Sequence, residues 1–142
     1  DWEAIIPDGK RNVEYHKETV RKIVGAICST ADMLREEYPS LHVPMLDQEI
    51  SFITTQELEN LYPDKSPKER ENLYVREHKT TFLMEIGDIL HSGHRHDGRA
   101  PDYDDWHLNG DLLFWNDVLD SAMEISSMGI RVDARAMDSQ LS

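Results

Sequence analysis

Asp111-Leu112-Leu113-Phe114-Trp115-Asn116-Asp117-Val118-Leu119-Asp120-Ser121-Ala122-Met123-Glu124-Ile125-Ser126-Ser127 is the stretch that decides the fold. Asp111 to Trp115 and Ser121 to Ser127 read as two strands joined by a turn centred between Asp117 and Val118. That turn sets Asp111 opposite Glu124, with both on the face of Leu113 and Ser126. Like charges directly across a sheet repel, so such a pair is surrounded by water, shares a proton or holds a cation. Mg²⁺ takes one or two carboxylates together with phosphate oxygens and water, whereas two solvated acids on an open sheet face need no ligand at all.

Upstream, Thr80 to Ile86 is rich in β-formers and predicts a buried strand closed by Gly87. The alternation of Ile50 and Phe52 with polar neighbours predicts a short strand over Glu49 to Ile53. Between these lie two capping boxes, Thr54-Thr55-Gln56-Glu57 and Ser66-Pro67-Lys68-Glu69, the second with Pro at its first helical position. They predict a helix ending near Tyr62-Pro63 and another from Pro67 to about His78. From Asn12 to Tyr38, Val13, Val20, Ile23, Val24, Ile27, Ala31 and Leu34 recur at helical steps until Pro39, predicting one long amphipathic helix. Cys28 falls inside it and reads as a small packed side chain rather than a nucleophile. A last helix begins near Asp133. No repeat or linker divides the chain, so the expectation is one α+β domain, residues 1–142, with helices packed on an antiparallel sheet.

The 142 residues carry 28 acids against 15 bases, a formal charge of −13, and no stripe of Lys and Arg follows a phosphate backbone. Nucleic acid is therefore not expected as a partner. An acidic chain that handles an anionic ligand must gather its few cations in one place. With one cysteine, no disulfide can form within the chain, which suits a reducing compartment and a cytoplasmic location; no apolar run is long enough for a membrane span.

Gly93-His94-Arg95-His96-Asp97-Gly98-Arg99-Ala100-Pro101-Asp102-Tyr103-Asp104-Asp105-Trp106 is the most unusual segment. His94-x-His96 beside carboxylates suits a transition metal; the same residues also suit a polar loop tied by its own salt bridges. In Glu124-Ile125-Ser126-Ser127-Met128-Gly129-Ile130-Arg131 the small residues allow close approach of a ligand. Arg131 can grip a carboxylate through two parallel hydrogen bonds, or simply pair with Asp133.

These strings, with Leu108-Asn109-Gly110-Asp111 and Ser126-Ser127-Met128-Gly129-Ile130-Arg131-Val132-Asp133, resemble the signature of ammonia-dependent asparagine synthetases, and weaker similarity reaches back to Asp1-Trp2-Glu3. That family is similar to the catalytic domain of aspartyl-tRNA synthetase, so the resemblance implies a class II aminoacyl-tRNA synthetase-like fold. It also implies ATP-dependent amidation of L-aspartate by ammonia through a β-aspartyl-AMP intermediate, giving L-asparagine, AMP and pyrophosphate. Under it, Asp111 and Glu124 handle Mg²⁺ with ATP, Ile125 and Ser126 sit by the nucleotide, and Arg131, Ser126, Ser127, Asp104 and Asp1 bind the substrate. Asp104 and Arg131 are the catalytic candidates, and the His94/His96 loop serves the organic substrate rather than a transition metal. A homodimer is implied as well.

The chain departs from the family pattern. An upstream segment with a phosphate-binding Arg, a downstream Gly-rich segment with another, and a longer loop around residues 106–108 are all expected and not found, so the chain reads as the central part of a larger catalytic domain. The competing readings are the core of an aspartyl- or asparaginyl-tRNA synthetase and a non-catalytic paralogue that binds amino acid or nucleotide.

Overall fold

A computed structural model describes residues 2–142. Four helices, α1 (Val13–Glu37), α2 (Thr55–Leu61), α3 (Pro67–His78) and α4 (Ala134–Leu141), accompany four strands, β1 (Ser51–Thr54), β2 (Thr80–Met84), β3 (Asp104–Asn116) and β4 (Ser121–Arg131). The strands form one sheet in the order β1-β2-β3-β4. α1 lies on one face, where Val20, Val24 and Cys28 meet Phe82, Leu112 and Phe114. α2 and α3 lie on the other, where Leu58, Tyr74 and Val75 meet Leu83, Leu113 and Ala122. The fold is α+β as expected.

The sheet is not antiparallel throughout. β1 and β2 run parallel, Phe52 beside Phe82, while β2–β3 and β3–β4 are antiparallel. The reason lies in the two capped helices between β1 and β2: a parallel neighbour needs a crossover of a dozen or more residues, which α2 and α3 supply. Both capping boxes form as read, with the Thr54 and Ser66 hydroxyls accepting from the Glu57 and Glu69 amides and each Glu returning to its cap's backbone. Ser66→Ala should cost about 1 kcal/mol, read as a lower urea midpoint at unchanged slope.

The hairpin register also differs from the expected one. Glu124 lies opposite Leu113, because the turn is centred between Val118 and Leu119, one residue later than read, and Asp111 lies opposite Ser127, because a bulge between the Leu113–Glu124 and Leu112–Ser126 pairs leaves Ile125 as the extra residue of β4. One inserted residue flips the strand beyond it to the other face. Asp111, Leu113 and Glu124 therefore still share the α3 side, but Ser126 joins Leu112 on the α1 side.

β3 is longer than its predicted Asp111 start, because Asp104 pairs with Arg131 and the ladder resumes at Asn109–Gly129 with an irregular stretch between. Asn109, buried on β3, holds both the amide and the carbonyl of Ile86 at 2.9 and 2.7 Å, fixing the end of β2 where Glu85 turns the chain at φ 60°. Gly110 is required where it stands, since a Cβ there would lie 2.5 Å from the Leu83 carbonyl oxygen and 2.6 Å from the Phe82 ring.

Candidate active site

A cleft of about 1020 Å³ opens between the segment before α1 and the ends of β3 and β4; Glu3, Arg99, Asp104, Ser126, Ser127 and Arg131 are among its walls. Arg131 ends β4, and its guanidinium lies 3.6 Å over the Tyr103 ring. It donates to Asp104, to Glu3 at 2.6 Å and to the Tyr103 hydroxyl at 2.6 Å. Burial works against this charge, but Glu3 and Asp104 outweigh it and hold the guanidinium above its ordinary value. Gly129 lets Asp104 come this close, because a Cβ there would lie 2.7 Å from the Asp104 carboxyl carbon. Behind Arg131, Arg11 grips buried Asp105 at 2.8 Å, donates to the Arg131 carbonyl at 3.0 Å and reaches Asp133 at 3.5 Å. Asp133 caps α4 by accepting from the Ala136 amide, so it is Arg11's partner and not Arg131's.

The acid pair forms the adjoining part. Asp111 is buried, with Oδ2 accepting from Arg99 at 2.6 Å and Oδ1 buried without a partner. Burial, and then the charge of Asp111, push the Glu124 carboxyl above its usual range. An orphaned carboxylate oxygen beside a second carboxylate whose charged form is disfavoured fits one divalent ion shared with phosphate oxygens. Among the described residues, no cluster of three or more His, Cys, Asp or Glu could enclose a metal unaided.

The match to known families decides what this constellation belongs to: the family described as aspartate-ammonia ligase matches residues 1–142. The chain belongs to the aspartate–ammonia ligase family. Among its relatives, the aspartate–ammonia ligase of Bacillus cytotoxicus is 54% identical over 141 residues, covering 99% of this chain and 43% of the relative. That of Clostridium tetani is 55% identical, covering 99% of this chain and 41% of the relative, and that of Bacillus cereus strain B4264 is 52% identical over the same share of this chain. The chain thus spans about two-fifths of the length of the curated relatives it matches.

Set beside the aspartate–ammonia ligase signature, the fold brings Asp104, Ser126, Ser127 and Arg131 to one cleft, and joins Asp111 to it through Arg99. Glu124 and half-buried Ile125 sit farther along β4 at the bulge. Asp1 lies outside the described residues. The His pair separates: buried His96 is 3.0 Å from Glu71 of α3, whereas His94 is exposed. Only the Asp97–Arg99 ion pair ties the segment to itself, while His96 reaches α3 and Arg99 reaches β3. Glu3, Arg11, Arg99 and Tyr103 were not singled out by the sequence; the one signal pointing to the arginines was the scarcity of cations in so acidic a chain. Among the described residues, no helix is long and apolar enough to cross a membrane.

Proposed function

We propose that this chain carries the aspartate and magnesium-nucleotide subsites of a ligase that makes L-asparagine from L-aspartate, ammonia and ATP, on a class II synthetase-like sheet. The observation that carries this reading is one guanidinium, Arg131, flanked by carboxylates in a cleft that Arg99 connects to the Asp111–Glu124 pair. A zwitterionic amino acid complements such a group. Its α-carboxylate takes Arg131 from Glu3, the more exposed of the two acids, and its α-ammonium or the incoming ammonia faces Asp104. Ser126 and Ser127 both line the cleft, from opposite faces of β4. The side-chain carboxylate is then turned toward Asp111.

A β-carboxylate oxygen attacks the α-phosphorus of ATP, the bond to the bridging oxygen breaks, and pyrophosphate leaves with that electron pair. Ammonia nitrogen then attacks the carbonyl carbon of the adenylate, AMP departs with the C–O electrons, and the nitrogen loses a proton. Mg²⁺ held through Asp111 and Glu124 would neutralise phosphate charge. The protein's work is mainly positioning, since in-line transfer to a bound phosphate gains most from orientation and fixed charge. The reading includes a cytoplasmic homodimer in which residues beyond this chain complete the site.

Aspartate-dependent ATP–pyrophosphate exchange by the full-length protein, without tRNA, tests it; absence of exchange removes the reading. Two further outcomes are expected. Gly129→Ala pushes Asp104 off Arg131 and should raise the aspartate KM about tenfold, roughly 1.4 kcal/mol, with the ATP KM within twofold. Because Glu124 must be ionised to meet a cation and its carboxyl is held high, the Mg²⁺ concentration for half-maximal exchange should rise as pH falls through that raised value. Glu124→Gln should flatten the dependence in a pH series.

A further inference from the structure

Arg99 touches both parts of the site. Its Nη2 donates to Asp111 Oδ2 at 2.6 Å, and its Nη1 donates to Asp97 Oδ2 at 2.7 Å and to the Gly98 carbonyl at 2.9 Å. The side chain is 23% exposed and lines the cleft that holds Arg131. Its loop is anchored from behind, because His96 is buried against Glu71 and the Trp106 indole donates to the Ala100 carbonyl at 3.3 Å. Asp97, held below the usual carboxylate range by Arg99 and the Gly98 amide once they overcome burial, keeps the guanidinium charged and aimed.

We propose that Arg99 is a phosphate-binding residue of this site: it holds Asp111 Oδ2, and it passes from Asp111 to a phosphate oxygen when a magnesium nucleotide binds. This rests on the proposed ligase function and deepens it. A carboxylate cannot accept fully from a guanidinium and offer both oxygens to a divalent cation, because the two positive charges repel at such short range. The free Asp111 Oδ1 gives the cation a first foothold without displacing Arg99. The incoming phosphates supply the anion that Arg99 loses, and its planar fork matches them. Lying between the Arg131 cleft and the acid pair, Arg99 meets the nucleotide at the phosphate nearest the amino acid, where the new bond forms. Asp97 and Gly98 hold its other edge throughout, so the transfer needs only the Nη2 edge to change partner.

The test uses the full-length protein. Arg99→Gln should lower aspartate-dependent exchange about 100-fold and raise the ATP KM at least tenfold, as loss of a fixed donor to a developing phosphate charge does. Arg99→Lys should recover part of the loss. If Arg99 only covers Asp111, Arg99→Gln instead leaves the ATP KM and exchange rate unchanged and lowers the Mg²⁺ requirement, which would overturn the proposal. Should the variants fail to fold, the wild-type protein itself gives the reading. Phenylglyoxal labelling of Arg99 in the wild-type protein, read by mass spectrometry of its peptide, should be suppressed by ATP with Mg²⁺ and not by aspartate alone. Equal labelling with and without magnesium nucleotide contradicts the proposal. Exchange by the wild type separates the two ideas: if it is present, failure at Arg99 leaves the proposed function standing.

Discussion

Replacing Arg131 with lysine is expected to raise the aspartate KM about 100-fold, with kcat changed far less. Arg131 makes two separable contributions that lysine cannot copy. Its planar fork can meet a carboxylate with two parallel charge-assisted hydrogen bonds while still holding Asp104, and its face rests 3.6 Å over the Tyr103 ring. An ammonium offers one compact charge and no stacking face. Losing one charge-assisted bond and the stacked contact amounts to about 2.7 kcal/mol, which is the 100-fold. Tyr103→Phe, which keeps the ring and removes only the hydroxyl that accepts at 2.6 Å, should cost much less. Steady-state aspartate titrations check both, and an unchanged KM in Arg131→Lys would remove Arg131 from the substrate site.

Phe82→Ala should be the most damaging single truncation for stability, at about 3–5 kcal/mol. Phe82 is fully buried in the middle of the sheet. On the α1 side it meets His16 edge-on at 5.2 Å between centroids and Phe52 at 6.1 Å. Its ring also occupies the space beside Gly110, one residue before Asp111. A domain held by 5–15 kcal/mol cannot absorb such a loss unnoticed, so the urea midpoint should fall sharply. Because the cavity lies under Gly110, the variant should also weaken nucleotide-dependent exchange under conditions where it stays folded. Phe82→Leu, which keeps most of the volume, should lose less than half as much stability.

The helices were legible because their signals are local. The α1 stripe and the two capping boxes depend on near neighbours along the chain, and the helices they predict form; Asn12 and Asp133 prove in addition to cap α1 and α4. The strands were legible as segments, but their pairing was not. The parallel β1–β2 pair follows from where the crossover returns the chain, which no window of sequence reports. The turn centre, one residue later than read, moves Glu124 from Asp111 to Leu113, and the bulge at Ile125 then sets Asp111 against Ser127. Strand alternation correctly put both acids on the face of Leu113, yet the turn by itself could not place Ser126. The start of β3 was hidden because Asp104, Asp105 and His107 are polar, although buried Trp106 and Leu108 alternate around His107. Of the candidate site, the residue types were readable and the contacts were not. Glu3 lies 128 positions from Arg131, and Arg99 meets Asp111 across a loop folded back on α3.

If aspartate is activated as a mixed anhydride with AMP, as proposed, its oxygen reports the step. The full-length protein should be given aspartate labelled with ¹⁸O in its β-carboxylate, together with ATP, Mg²⁺ and ammonia. Asparagine and AMP should form in equal amounts, with one ¹⁸O carried into the phosphate of AMP, detected by mass spectrometry. Label appearing in inorganic phosphate alongside ADP, or unlabelled AMP, would contradict it.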